Sequence, residues 1–195
     1  MAAGGSIHGI LLAAGAGTRF GGGKLLHPLA DGTPIGVASW RHLASALPDS
    51  VAVVRPGDDR LADALRAAGA RVEIAPEAHL GMGHSLAHAI AVTPQASGWV
   101  IALADMPGLK PETIEAVALE LKRGTSIVVP THHAERGHPV GFSIAHRDAL
   151  LRLRGDQGAR SIVQQNAAQI LRLEVDDPGI LQDIDTRADA QRLNR

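Results

Sequence analysis

Two cations punctuate a run of glycines near the start of the chain: Arg19 and Lys24 sit among Gly15, Gly17 and Gly21 to Gly23 in the segment that runs from Gly9 to Lys24. Glycine reaches positive φ without a Cβ clash, so the backbone N–H groups of such a loop can turn toward an anion, and Arg19 and Lys24 add full positive charge. The pattern predicts a phosphate site. Lys24 is one of only three lysines in the chain, so general basicity does not explain its place here. Two better-known loops do not fit. A Walker A loop ending at Lys24 needs glycine at Thr18 and a hydroxyl residue at Leu25. A dinucleotide fingerprint starting at Gly15 needs glycine at Phe20, and an acidic residue where Arg55-Pro56 follows the strand Val51 to Val54.

Carboxylates supply the second half of the chemistry. Asp105 ends the apolar run that begins at Trp99 and is followed by Met106-Pro107, which stops a strand and leaves the carboxylate poorly solvated at its tip. Such a group needs a cation, and Mg²⁺ held by one or two protein carboxylates and substrate phosphates satisfies it. Asp183 and Asp185, two apart, point to one side of an extended segment, and one of them can complete a metal site. Asp185 is the better placed, ahead of a last helix starting at Thr186, although the same position suits a helix cap. Ser85, after the Gly81-Met-Gly83 turn, can donate a hydrogen bond to a base or phosphate or can simply cap. The histidine-rich stretch His132 to Pro139 lacks the HExxH spacing of a zinc site, and Gly137 with His138 and Pro139 reads as a substrate-binding loop. Gly155, Asp156, Gly158 and Arg160 set glycines and a cation at another helix start, suited to a second anion or a pterin-sized ligand.

The elements that must hold these residues follow from hydrophobic patterning. Apolar runs at Ile7 to Leu12, Val51 to Val54, Arg71 to Ile74, Trp99 to Leu103, Ser126 to Val129 and Val140 to Ile144 read as strands. Helices are expected from the Asp58-Asp59 cap through Ala68, from Pro111 to Arg123, and from about His84 to Val92. This alternation predicts an α/β fold, a mostly parallel sheet covered by helices on both faces, within one domain spanning 1–195. The loops after Leu12, Leu103 and Val129 should border one crevice at the carboxyl ends of the strands. With 195 residues, 45% of them hydrophobic, the chain can bury a substantial core. A net charge of −1 with scattered Lys and Arg, two Trp, two Phe and no Tyr argue against a nucleic-acid binder. The absence of cysteine excludes thiol chemistry and disulfides. No charged and apolar leader and no apolar run of about 18 residues is present, which predicts a cytoplasmic protein with no membrane partner.

Taken together, the chain resembles the MobA-like nucleotidyltransferases, and within them the molybdenum cofactor cytidylyltransferase branch. The residues that carry the likeness are Leu12-Ala13-Ala14-Gly15 with Arg19, Gly22 and Lys24; Gly81 and Ser85; Asp105-Met106-Pro107; Gly137-His138-Pro139; Gly155 and Asp156 with Gly158 and Arg160; and Asp183 to Thr186. The resemblance implies a Rossmann-like three-layer α/β/α sandwich of the nucleotide-diphospho-sugar transferase type. It implies that Leu12, Ala13, Ala14, Gly15, Gly17, Arg19, Lys24, Gly81, Ser85 and Asp105 bind the nucleotide, with Lys24, Arg19 and Asp105 acting in catalysis. Mg²⁺ would be the cofactor, on Asp105 and on Asp185 or Asp183, and His138, Pro139, Gly155, Asp156, Gly158 and Arg160 would bind the acceptor.

In the first loop guanylyltransferase relatives usually carry Leu-Ala-Gly-Gly, whereas this chain has Ala14, as the cytidylyl branch does. The implied reaction is therefore transfer of CMP from CTP to a molybdopterin-type acceptor, with a molybdoenzyme or its maturation chaperone as a further partner. Pro76-Glu77 departs from the Asn-Pro that relatives often have before the Gly81 turn. GTP as donor, a sugar phosphate as acceptor, or a non-catalytic cofactor carrier are the competing readings.

Overall fold

Two apolar layers face opposite sides of one sheet, and their separation can be read along single strands of the computed structural model, which describes residues 5–193. The outermost positions of the expected domain, 1–4 and 194–195, lie outside the described residues. On β1 (Ile7–Ala13), Leu11 joins one core and Ile10 the other; on β2 (Ser50–Val54), Ala52 and Val54 oppose Val51 and Val53. This alternation is the period-2 geometry of a strand buried on both faces. The first core packs α1 (Ile35–Ala46), α2 (Asp59–Ala67) and α4 (Pro111–Lys122) against the sheet. The second packs α3 (Met82–Ala91), α5 (Arg147–Leu151) and α6 (Arg160–Gln165) on its other side. The three-layer α/β expectation is therefore met.

The sheet contains eight strands: β1, β2, β3 (Arg71–Ile74), β4 (Gly98–Leu103), β5 (Ile127–His132), β6 (Glu135–Arg136), β7 (Val140–Ser143) and β8 (Ile170–Glu174). Their order is β3-β2-β1-β4-β7-β5-β6, with β8 pairing β5. The pairs β1 with β2, β1 with β4, β2 with β3 and β5 with β8 are parallel, while β7 runs antiparallel between β4 and β5. The six expected strands are present within one to three residues of their ends. The short β6 is the return arm of a tight turn on β5, closed by Thr131↔Arg136 and His132↔Glu135. Neither it nor β8 stands out in the sequence. In β8 apolar and charged residues alternate at a half-exposed edge, so no continuous apolar run marks it.

Helix α1 is also absent from the sequence expectation. It starts after Pro34 with no side-chain cap, and Ile35 to Trp40 are all buried, so it lacks the one-sided pattern that marks an amphipathic helix. Asp58 makes no capping hydrogen bond at the start of α2; it lies 3.7 Å from Arg55 instead. Among the described residues no helix is long and apolar enough to cross a membrane.

Candidate active site

Strands β1, β2 and β4 end in register, Ala13 beside Val54 and Leu12 beside Leu103, so the loops that follow them emerge side by side. The loop after β1 makes two tight turns, and Gly17, Gly21, Gly22 and Gly23 all adopt positive φ. Gly15, expected to do the same, does not, and the freedom is used later in the loop. Phe20 anchors the turn, packing with Ile35, Ile184 and Ala190 under the Arg187 guanidinium, 5.3 Å from its ring centroid. The residue that spoils the dinucleotide fingerprint thus pins the loop to the C-terminal segment. Gly23, at φ 64°, starts the turn Lys24–Leu26 and brings Lys24 inward.

Four charges meet there. The Lys24 ammonium donates to Asp105 Oδ2 at 2.7 Å and to Asp185 Oδ1 at 3.3 Å, and Arg19 donates to Asp185 Oδ2 at 2.7 Å. The Lys24 side chain is only 12% exposed and Asp105 21%, whereas Arg19 is 79% exposed. Burial alone would lower the Lys24 pKa, but the hydrogen bonds and charges of Asp105 and then Asp185 outweigh it and hold the ammonium above its ordinary 10.5. Asp185 reaches the cluster because Ile184 N–H donates to the Asp105 carbonyl at 2.9 Å. It does not cap the last helix, α7 (Arg187–Leu193). Asp189 accepts the N–H groups of Asp185 and Thr186 and the Thr186 hydroxyl, while Thr186 Oγ1 accepts the Asp189 N–H, a reciprocal cap. Asp183 is exposed.

The two carboxylates fit a hard divalent cation. Both contact the same ammonium nitrogen, so one small ion could take oxygens from both, with water and phosphate filling its remaining positions. Among the described residues no cluster of three or more His, Asp or Glu forms a self-sufficient metal site. The His132 and His133 rings pack tilted by 50° with centroids 4.2 Å apart, and His132 Nδ1 meets the Val175 carbonyl at 3.0 Å.

A cleft of about 950 Å³ opens above the cluster, lined by Leu12, Ala14, Gly15, Gly17, Lys24, Asp105, Gly81 and Ser85 together with Arg55, Pro76 and His79. Ala13 is buried in the first core, beneath the cleft. A second cleft of about 480 Å³ shares Leu12, Met82 and Leu103 with the first and continues over β4, β5 and β7. Its lining contains His138, Gly158 and Arg160, and also Arg136, Gln157 and Gln164, which the sequence reading passed over. Pro139 is buried rather than lining it. The crevice expected at the loops after Leu12, Leu103 and Val129 is therefore divided in two.

The divider is a contact between distant segments. Gly83 N–H donates to the Gly155 carbonyl at 2.7 Å, and Gly155 N–H donates to His84 Nδ1 at 3.2 Å. Gly81, at φ 121°, lies so close to Gly155 and Asp156 that a Cβ there would overlap both. Asp156 consequently lines the first cleft and not the second, and Gly155 belongs to the partition. His138 has its Nδ1 enclosed with no hydrogen-bond partner. Desolvation outweighs the nearby Asp105 and Asp183 charges and holds its pKa below 6.5, so the ring is neutral at pH 7.

A family model described as the MobA-like NTP transferase domain matches residues 9–170, which include the lining of both clefts but not the C-terminal acidic segment. The chain belongs to the MobA-like NTP transferase domain family. Within this nucleotidyltransferase family, the nicotine blue oxidoreductase of Paenarthrobacter nicotinovorans is 27% identical over 96% of each chain. The bifunctional protein GlmU of Nitrobacter hamburgensis is 32% identical over 81% of this chain but only 34% of its own length, so the chain spans about a third of that protein. Among solved structures, Rv0371c of Mycobacterium tuberculosis superimposes with a TM-score of 0.84 at 28% identity, covering 97% of this chain and 98% of that one. A second structure of Rv0371c, in complex with manganese, matches with a TM-score of 0.80 at 27% identity, covering 96% of this chain and 97% of that one.

Proposed function

We propose that this MobA-like chain transfers CMP from CTP to the terminal phosphate of a molybdopterin-type acceptor, with release of pyrophosphate. The observation that carries the reading is the Lys24, Asp105, Asp185 and Arg19 cluster, of which Lys24 and Asp105 line the larger cleft, beside a smaller cleft that shares Leu12, Met82 and Leu103 with it. In this reading the triphosphate lies in the first cleft over the glycine loop, and the acceptor lies in the second.

The acceptor phosphate is ionised near neutral pH, so no protein nucleophile is required. One of its oxygens attacks the α-phosphorus of CTP, a new phosphoanhydride bond forms, and the bond to the leaving pyrophosphate breaks. The protein contributes in-line positioning and neutralisation of charge moving to the leaving group. Lys24 and Arg19, with the N–H groups of the glycine loop, face the β and γ phosphates. The two cations and two carboxylates cancel, so the cluster without a further cation offers a polyanion no net attraction. A divalent ion on Asp105 and Asp185 would supply that missing charge. In the second cleft Arg160 and Arg136 offer cations to an anionic acceptor, while Met82, Leu103 and Val140 supply apolar area for a flat ring.

Pyrophosphate release with Mg²⁺ and molybdenum cofactor, compared across CTP, GTP, ATP and UTP, tests the reading. Release with CTP alone supports it, and release with GTP alone transfers it to the other base. Turnover with sugar 1-phosphates but not molybdenum cofactor replaces the acceptor, and silence with all four nucleotides favours a cofactor carrier. Asp105→Ala should abolish turnover while the circular dichroism spectrum stays unchanged; full activity in that variant overturns the cation assignment.

A further inference from the structure

Asp105 and Asp185 are 80 residues apart in the chain, and the device that aligns them lies outside both clefts. Asp177 is 1% exposed, and its carboxylate is fully committed to backbone and hydroxyl donors. Oδ2 accepts the Lys110 N–H at 3.0 Å and the Thr113 hydroxyl at 2.7 Å, while Oδ1 accepts the Gly179 N–H at 2.9 Å. Helix α4 has no capping side chain of its own at Lys110; Asp177, from a distant segment, instead holds the N–H of that cap residue and the Thr113 hydroxyl of the first turn. The negative charge also sits at the positive end of the helix dipole. Among the described residues no cation pairs with Asp177, because Lys110 Nζ donates to the Asp176 carbonyl instead.

Helix α4 follows directly on the Asp105 loop, and the Asp177 segment runs directly into Asp185. Between them the two segments close like a zip. Gly179 lies against the Gly108 carbonyl so closely that any side chain would overlap it, and Ile184 N–H bonds to the Asp105 carbonyl. The Ile180 carbonyl in turn accepts the His138 N–H at 3.0 Å, which ties the loop of the second cleft to the same segment.

We propose that Asp177 is a positioning residue: by holding the start of α4 from the C-terminal segment it sets the spacing of Asp185 from Asp105, and hence the affinity of the pair for a divalent cation. This rests on the reading that Asp105 and Asp185 hold that cation. A carboxylate moved by about an ångström no longer shares an ion with its partner, and residues that orient metal ligands are typically worth about 10-fold to 100-fold in affinity. Asp177 touches neither nucleotide nor acceptor in this arrangement, so its loss should spare nucleotide recognition by the glycine loop.

The test uses the full chain with Asp177→Asn and, should that variant fold poorly, Thr113→Val, which removes one of the three hydrogen bonds. Amide hydrogen exchange and Mn²⁺ titration are read on the same samples, well below the melting temperature. In Asp177→Asn, exchange at the Ile184 amide should rise about 10-fold while β1 and β4 stay protected, and Mn²⁺ should bind about 10-fold more weakly. Thr113→Val should move both in the same direction by a smaller factor, and Thr113→Ser should restore wild-type values. Faster exchange confined to residues 176–180, with Ile184 and Mn²⁺ affinity unchanged, would reduce Asp177 to a stabilising tie and overturn the proposal. Wild-type protein that binds no Mn²⁺ overturns the cation reading on which the proposal rests, and the Ile184 exchange shows separately whether Asp177 aligns the segment.

Discussion

The first cleft carries Lys24 and Asp105 in its lining, with Asp185 and Arg19 bonded to one another and Asp185 to Lys24, and glycines of the turns at Gly15, Gly17, Gly23, Gly57 and Gly81 form part of its walls. The second has no ion pair in its lining; Arg136 and Arg160 stand beside Ile101, Val129 and Phe142, together with a neutral His138. In the proposed reading the first holds a multiply charged chain of phosphates in one alignment, which backbone N–H groups and preset cations do without reorganising. In the same reading the second accepts a broad, partly apolar body through one charged end. On that proposal one fold can keep its triphosphate chemistry constant while changing its acceptor, because the two tasks fall to different loops.

That division can be broken most severely at Lys24. Lys24→Ala leaves two carboxylates facing each other without the ammonium between them, and turnover should fall by about 100-fold to 1,000-fold in steady-state pyrophosphate release. A loss below tenfold would mean that the first cleft does not hold the reacting phosphates. Arg160→Ala sharpens the contrast from the other side: the KM for the acceptor should rise about tenfold, as expected for one lost charged hydrogen bond, with the KM for CTP unchanged. Equal changes in both KM values would merge the two clefts into one site. Arg19→Ala should have a smaller effect, a few-fold loss, because the side chain is 79% exposed and water screens its pair with Asp185. That loss should shrink further as salt is raised from about 0.05 to 0.5 M.

The smallest effect concerns the cap behind Asp185. Hydrogen bonds from the Thr186 side chain and backbone, with help from Arg192, lower the Asp189 pKa from 3.8 to about 2. A carboxylate depressed in the folded state stabilises it above the unfolded pKa, and that stabilisation is lost as pH falls through the folded value. Asp189→Ala should therefore melt below wild type at pH 7, with the difference narrowing between pH 4 and 2. A constant difference across that range would mean that the charge of Asp189 is not what holds the cap.

Much of the first cleft was legible because its parts are local. A glycine loop between a strand and a cation, and an aspartate between an apolar run and a proline, each carry their structural meaning within a few residues. The same is true of the buried strands, whose apolar runs announce β1, β2 and β4. The helix α1 was not legible because it is apolar on nearly every side, and β8 was not because it lies half exposed at the edge of its parallel pair with β5. Asp156 looked like part of the second ligand site beside Gly158 and Arg160, yet the close approach of Gly81 to Gly155 turns it into the first cleft. Nothing local signals that approach beyond the presence of glycine itself. Asp177 reads in sequence as an ordinary Asp-Pro turn, because the Lys110 N–H it accepts lies 67 residues earlier.

By itself the sequence determined the α/β class, the glycine loop with Lys24 and Arg19, and Asp105 at a strand tip, all consequences of backbone preferences and burial patterns that act over a handful of neighbours. Only the tertiary structure set Asp185, and not Asp183, against Lys24 and Arg19, divided the crevice in two and tied the C-terminal segment to the Asp105 loop. Those outcomes depend on hydrogen bonds such as Ile184 to Asp105 and Lys110 to Asp177, whose partners are brought together by the packing of helices on the sheet and not by their spacing along the chain.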